Sequence, residues 1–320
     1  MSPLSITRTL PPDATAAALR ADVAEGLSRT PKHLPPKWFY DARGSELFDE
    51  ITTLPEYYPT RAEREILRAT ADRIAAATGA RTLIELGSGS SDKTRHLLRA
   101  LTGLESYLPV DVSESALRAA GEALLAEHPG LTVHALVADF QRGLTLPETP
   151  GPRLLAFLGG TIGNLLPAER AAFLDSVHAL LAPGDALLLG TDLVKDEATL
   201  VAAYDDSRGV TAAFNKNVLE VINRELGGDF DPADFDHVAR WNAEREWIEM
   251  RLRARADLTV KIPGVDLAVP FAAGEELRTE VSAKFREDGV RSELAASGLK
   301  LTEWWTDDAG RFALSLALRL

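Results

Sequence analysis

Residues 81–94 read RTLIELGSGSSDKT, a short apolar run that ends in glycines and passes into a polar, helix-opening stretch. Gly87 and Gly89 let the backbone turn tightly and approach a ligand with no Cβ in the way. A phosphate-cradling loop needs glycine directly before Lys-Ser/Thr, and here Asp92 precedes Lys93-Thr94. A dinucleotide fingerprint needs a third glycine at the Asp92 position, where a carboxylate repels a pyrophosphate. There remains Glu85-x-Gly87-x-Gly89, an acidic strand residue followed by two glycines. It suits a ligand with an amino group and a sulfonium rather than phosphates.

Strand and helix signals alternate downstream of this loop. ESYLPVDV (105–112), LTVHALVADF (131–140), PRLLAFLGGTIGNL (152–165) and PGDALLLGTDLV (183–194) read as strands. The segments 91–101, 113–128 and 167–181 between them read as helices. Near-continuous apolar strands in this order predict a parallel sheet with helices on both faces. Asp111 then ends the second strand, beside the glycine loop, where a carboxylate binds both ribose hydroxyls. Asp139-Phe140 ends the third, where the acid accepts from an adenine amino group and the ring packs the base. Taken singly, Asp111 and Asp139 read equally well as helix N-caps. Three such ends in register point to an S-adenosylmethionine site. LAPGDALLLG before the fifth strand and the two closing strands, KLTEWWTD and RFALSLALRL, are also similar to class I methyltransferases, whose sheet carries an antiparallel seventh strand beside the fifth.

The flanks read differently. Residues 1–15 are polar and contain proline, the composition of a loose arm. Helices are expected over 16–30 and 45–54, a Pro-broken aromatic loop over 31–41, and a Pro turn into a helix over 55–67. Residues 195–240 look mainly helical. From 247 to 260, Met250, Leu252 and Ala254 alternate with Glu249, Arg251 and Arg253, the pattern of a half-buried strand; 277–285 alternates too, and 287–297 reads as a helix. The expected fold class is α/β, a Rossmann-like class I methyltransferase sheet with a second α+β substrate-binding domain. The core takes 62–194 and 286–320, and the second domain takes 8–61 and 195–285, with the N-terminal arm joining it as a lid.

Forty-eight acidic against 35 basic side chains give a formal charge of −13. Such a surface repels phosphate backbones and anionic membranes. There is no cysteine, so disulfides, thiolate catalysis and Cys-ligated metals are excluded. The six histidines are scattered without metal-ligand spacing. No secretory signal or membrane-spanning run is visible. These features describe a cytoplasmic monomer acting on a small molecule, with no metal, nucleic acid or membrane partner.

The segments 34–67 (LPPKWFYDARGSELFDEITTLPEYYPTRAEREIL), 157–165 (FLGGTIGNL), 187–196 (LLLGTDLVKD), 203–219 (AYDDSRGVTAAFNKNVL) and 271–285 (FAAGEELRTEVSAKF) resemble the histidine-specific Nα-methyltransferases of ergothioneine biosynthesis. The resemblance runs from about residue 30 to the end of the chain. It implies that the donor contacts Tyr40, Gly87, Lys93, Asp111, Asp139, Phe140 and Gly159. It implies that L-histidine contacts Tyr57, Asn164, Tyr204, Glu280 and Ser282, with Tyr57 and Asn164 nearest the chemistry. The implied product is hercynine, formed by three methylations of the α-amino group. Thr211, Phe48 and Met250 are weaker candidates for the same pocket, and core packing suits Met250 as well. Glu280 and Ser282, two apart on a predicted strand, share a face and can match both nitrogens of an imidazole. On residues alone the same stretch, continued by Lys284, reads as a solvated strand face. Asn164 likewise reads as a helix N-cap before LLPAER.

Overall fold

The computed structural model describes residues 3–11, 13–89, 91, 93–140 and 143–320. The Asp92 position that argues against a dinucleotide fingerprint lies outside the described residues. In chain order the elements are β1 (Leu4–Arg8), α1 (Ala14–Ser28), α2 (Ala42–Thr53), α3 (Pro59–Thr78), β2 (Thr82–Leu86), α4 (Arg95–Ala100), β3 (Ser106–Asp111), α5 (Glu114–Glu127), β4 (Thr132–Val137), β5 (Arg153–Phe157), α6 (Pro167–Leu180), β6 (Ala186–Asp192), α7 (Glu197–Tyr204), α8 (Val210–Leu226), β7 (Phe235–Asn242), β8 (Trp247–Ala254), β9 (Leu258–Ile262), β10 (Leu267–Phe271), β11 (Glu276–Ala283), α9 (Glu287–Ala296), β12 (Leu299–Thr306) and β13 (Phe312–Arg319). Two compact units divide them: Met1–Pro11, Pro59–Val194 and Phe285–Leu320 form the first, Pro12–Tyr58 and Lys195–Lys284 the second.

The first unit is built on a sheet of order β1-β4-β3-β2-β5-β6-β13-β12. Strands β1 to β6 run parallel. β13 is antiparallel to both β6 and β12 and stands between them, as the resemblance implies. Both β2 and β6 are buried along their whole length, which is why they read as unbroken apolar runs. β2 pairs with β3 on one side and β5 on the other, so strand order reverses there. That reversal opens a crevice beyond the carboxyl ends of β2 and β5, where Gly87 and Gly159 lie.

The N-terminal residues differ from the loose arm expected of them. Leu4–Arg8 adds as a parallel edge strand beside β4, from Leu4↔Val133 to Arg8↔Val137. Leu4 and Ile6 pack on the apolar core of the sheet. Gly121 on α5 leaves the room: a Cβ there would sit 2.9 Å from Leu4 Cδ1. Two apolar side chains two apart suffice for an edge strand but give too short a pattern to read unaided.

The second unit holds an antiparallel sheet of order β11-β8-β7, a β9–β10 hairpin and helices α1, α2, α7 and α8. Its core gathers Phe39, Phe214, Ile222, Phe235, Leu252 and Phe271. Residues 235–242 are a strand rather than part of the helical stretch expected over 195–240, because β8 offers Phe235 a paired edge from Ala254 onward. The expected strand over 247–260 is two strands, β8 and β9, broken after Ala254.

Strand β11 departs from regular pairing in one place. Leu277 stands opposite Leu252 and Arg278 opposite Arg251, but the next partner of Met250 is Glu280, with Thr279 extra. This is a β-bulge, two residues against one. In an unbroken strand Glu276, Arg278, Glu280 and Ser282 would share a face. The bulge instead turns Glu280 and Ser282 to the side of Leu277, Leu252 and Met250, the apolar side of the sheet.

Candidate active site

In the first unit the glycines beyond the strand ends adopt left-handed backbone, with φ of 66° at Gly87, 50° at Gly89 and 80° at Gly159. A Cβ-bearing residue is strained there. Asp111 closes β3 and accepts from Gly89 N at 3.1 Å and from Ser113 N at 3.0 Å. It therefore ties the second strand end to the glycine loop. It is not the cap of α5, whose N-cap is Ser113 through a bond from Ala116 N. Phe140 packs edge-on against Phe157 and Phe173, with ring centroids 5.3 and 6.0 Å away. Beside it an apolar cavity of about 300 Å³ is lined by Leu86, Leu144, Phe173 and Val177. Asp139 precedes Phe140 at the end of the β4 segment, half-buried. Asn164 ends a single 3₁₀ turn, Thr161–Asn164, after the Gly159-Gly160 pair. The N-cap of α6 is Leu166, so the capping role open to Asn164 in the sequence is not the one it has.

Two buried acids of this unit explain how the loops are held. Glu85, the acid of the glycine motif, accepts from Thr94 Oγ1 and Tyr107 OH, both at 2.5 Å. Tyr107 OH also bonds Ser91 Oγ at 2.8 Å. Both Glu85 oxygens therefore hold the loop rather than pointing out of it. Burial pushes the Glu85 carboxyl up to about 7, against the hydrogen bonds from Thr94 and Tyr107 that pull it down. Glu63, on α3, is fully buried, pairs with Lys93 and accepts from Gly159 N at 2.7 Å. A Cβ at Gly190 would lie 2.3 Å from Glu63 Oε1, so β6 must be bare of side chain there. The sequence does carry a sign of Glu63: it falls in the buried stripe Ala62, Ile66, Leu67, Thr70, Ile74 of α3. A carboxylate in an apolar stripe is costly unless paired.

In the second unit Tyr40, Phe48, Tyr57 and Phe214 form an aromatic group. Tyr40 meets Phe48 and Phe214 edge-on at 5.5 and 5.4 Å, and Phe48 meets Tyr57 at 6.0 Å. Asp41 caps α2 through Gly44 N and takes a bond from Asn217 Nδ2 at 2.8 Å, which fixes the chain beside Tyr40. Thr211 is buried in the first turn of α8, its N–H donating to Asp206 at 2.7 Å. Met250 is in the core, and Glu280 faces it across the strand pair.

Tyr204, Ser282 and Lys284 form a tight triangle. Tyr204 OH and Ser282 Oγ are 2.7 Å apart, and Lys284 Nζ donates to both, at 2.9 and 2.8 Å. All three are buried, so this is no solvated strand face. The bulge itself is anchored. Thr279 Oγ1 donates to Asn215 Oδ1 at 2.5 Å, and Asn215 Nδ2 is 2.9 Å from His237 Nδ1. His237 Nε2 lies 2.8 Å from Tyr204 O. A carbonyl only accepts, so Nε2 carries the proton and Nδ1 accepts from Asn215. Burial lowers the His237 pKa and keeps the ring neutral, as this relay requires. Through it the bulge and the end of α7 that bears Tyr204 are held together.

The model of a family described as histidine-specific, S-adenosylmethionine-dependent methyltransferases matches residues 19–319. The chain belongs to that family. This histidine-specific methyltransferase is 57% identical over 319 residues to a histidine N-alpha-methyltransferase of Mycolicibacterium smegmatis, covering 99% of each chain. It is 35% identical over 288 residues to ergothioneine biosynthesis protein 1 of Neurospora crassa, covering 86% of this chain and 32% of that one. Among solved structures, an S-adenosylmethionine-dependent methyltransferase from Clostridium acetobutylicum has a TM-score of 0.50 at 11% identity, covering 86% of this methyltransferase and 98% of its own chain. That likeness is one of fold, the class I methyltransferase fold.

Proposed function

We propose that this methyltransferase converts free L-histidine to hercynine in ergothioneine biosynthesis, by three successive transfers from S-adenosylmethionine to the α-amino nitrogen. The observation that carries the reading from methyl transfer in general to histidine is the bulge in β11. It presents a carboxylate, Glu280, and a hydroxyl, Ser282, on an apolar sheet face beside Met250. An imidazole needs that combination: one acceptor, one hydroxyl, and apolar surface for the ring.

The first unit has the chemistry to hold the donor. Gly87 and Gly159 offer backbone where a Cβ would intrude, Lys93 a cation for the donor carboxylate, and Asp111 a carboxylate for the ribose hydroxyls. Asp139 serves the adenine amino group and Phe140 the base, beside the apolar cavity. When bound, the donor supplies a methyl group already activated on a sulfonium sulfur. The protein's work is therefore mainly positioning. The family resemblance also assigns Tyr40 to the donor. It assigns Asn164, Tyr57 and Tyr204 to the substrate, with Thr211 a weaker candidate for the same pocket. In each transfer the neutral amine forms its N–C bond as the C–S bond breaks, leaving a neutral thioether. The first two products each lose an N–H proton to water before the next round. The third bears a fixed positive charge that aromatic faces such as Tyr57 accommodate.

Among the described residues no cluster of three metal-ligating side chains occurs and no helix is long and apolar enough to cross a membrane. On composition and resemblance we read the enzyme as a cytoplasmic protein that acts on a free amino acid. The test is mass spectrometry of a reaction containing S-adenosylmethionine and all common amino acids. Trimethylated histidine as the dominant product is expected; methylation of another amino acid in its place overturns the reading.

A further inference from the structure

We propose that Lys284 is a positioning residue that fixes Ser282 as a hydrogen-bond donor, so that the pocket reads one neutral tautomer of the substrate ring. The proposal rests on the histidine reading of Glu280 and Ser282 and adds to it the direction of each hydrogen bond.

A hydroxyl such as that of Ser282 has one proton and two lone pairs and can face a ligand either way. Its two neighbours remove the choice. Lys284 Nζ, an ammonium with donors only, lies 2.8 Å from Ser282 Oγ and occupies one lone pair. Tyr204 OH is 2.7 Å from the same oxygen. Lys284 donates to Tyr204 as well, at 2.9 Å, and lies 4.7 Å over its ring. A phenol is the stronger acid and the weaker acceptor of the two hydroxyls, and Lys284, bonded to both oxygens, leaves that order in place. Tyr204 therefore donates to Ser282, which takes the second lone pair. The Ser282 proton is left to point out of the triangle.

Glu280, two residues earlier on the same face, is an acceptor when ionised. The pair thus presents one acceptor and one donor in fixed order: Glu280 takes the ring N–H, and Ser282 gives to the bare ring nitrogen. Without Lys284 the serine hydroxyl regains a lone pair and can turn, and the order is lost. Lys284 touches neither the ring nor the reacting nitrogen in this arrangement; it acts through Ser282.

The test compares kcat/KM for histidine with that for 3-(pyrrol-2-yl)alanine. This analogue keeps a ring N–H but replaces the second nitrogen with C–H. In the wild type the oriented Ser282 proton has no acceptor on the analogue, so discrimination is strong. Lys284→Met is expected to reduce that ratio by about tenfold or more, because Ser282 can then turn away. Ser282→Ala should reduce it similarly, and adding Lys284→Met to Ser282→Ala should change it no further. The ratio is independent of how much of each variant folds, so a loss of stability does not mask the result. An unchanged ratio in Lys284→Met alongside a reduced ratio in Ser282→Ala overturns the role of Lys284 alone. An unchanged ratio in Ser282→Ala removes the serine from the ring and overturns the proposal together with the substrate reading it rests on.

Discussion

Glu280 stands directly across from Met250, although Arg278, two residues earlier, stands across from Arg251. The bulge at Thr279 converts an outward-facing charge into one aimed at an apolar surface. A carboxylate so placed is favourable only when a donor meets it. Glu280→Ala should therefore remove most activity on histidine, by up to about 10⁴-fold in kcat/KM. It should cost much less on tryptophan, or raise activity there, because the charge that excludes a larger apolar ring is gone. Affinity for S-adenosylhomocysteine should stay nearly unchanged. Equal losses on both amino acids would make Glu280 a structural residue.

Asp111 joins the glycine loop and the β3 end through Gly89 N and Ser113 N. Asp111→Ala should weaken donor binding by roughly 1–3 kcal/mol, since buried ribose hydroxyls lose their acceptor. Calorimetric titration with S-adenosylmethionine checks this, and an unaltered affinity would confine Asp111 to holding the loop.

Glu63 holds Lys93 and Gly159 N at once. Replacing it with alanine strands a partly buried cation and a backbone donor together, which should destabilise the fold by roughly 3–5 kcal/mol. Donor affinity should fall by about tenfold or more, because Lys93 and the Gly159 loop lose their common anchor. Glu63→Gln keeps an acceptor for Gly159 N and should fall between alanine and wild type. Urea unfolding read beside donor titration separates the two effects; lost stability at full affinity would mean that Glu63 does not order the donor loop.

The Glu85 carboxyl is raised by burial to about 7, whereas in the unfolded chain it titrates near its ordinary value of about 4.3. Between those values the folded protein binds the extra proton. The contribution to stability is thus complete below about pH 4 and is lost as the pH rises through about 7, with an upper bound of about 4 kcal/mol. The lowered pKa of His237 acts the other way, costing stability as the pH falls below about 6.5. Glu85→Gln should remove the alkaline loss and leave the acid side alone. Unfolding free energies at about pH 5 and about pH 8 for both proteins are the measurement; an identical pH dependence would show that Glu85 does not titrate in this range.

The sheet was legible because each of its buried strands carries its own signal. TLIEL, SYLPVD and ALLLGTD are apolar over a length that only a strand covered on both faces explains. The glycines and Asp111 could be placed too, since Gly87 and Gly159 follow their strands by one or two residues, Asp111 closes its own, and a parallel sheet gathers strand ends at one edge. The histidine reading came from the resemblance of whole segments, not from periodicity. What the sequence left open was every feature that depends on partners distant along the chain. Leu4–Arg8 becomes a strand because β4 leaves an edge for it and Gly121 leaves room for Leu4. Lys284 looks like a surface charge until Tyr204 and Ser282 meet it in a buried place, and Glu63 is a carboxylate in an apolar helix stripe whose partners, Lys93 and Gly159, only the fold supplies. The face on which Glu280 and Ser282 lie is decided by the bulge at Thr279, whose hydroxyl is held by Asn215 of another helix. Local periodicity determines which residues can share a face; only the tertiary hydrogen bonds determine where that periodicity slips by one, and so which face they share.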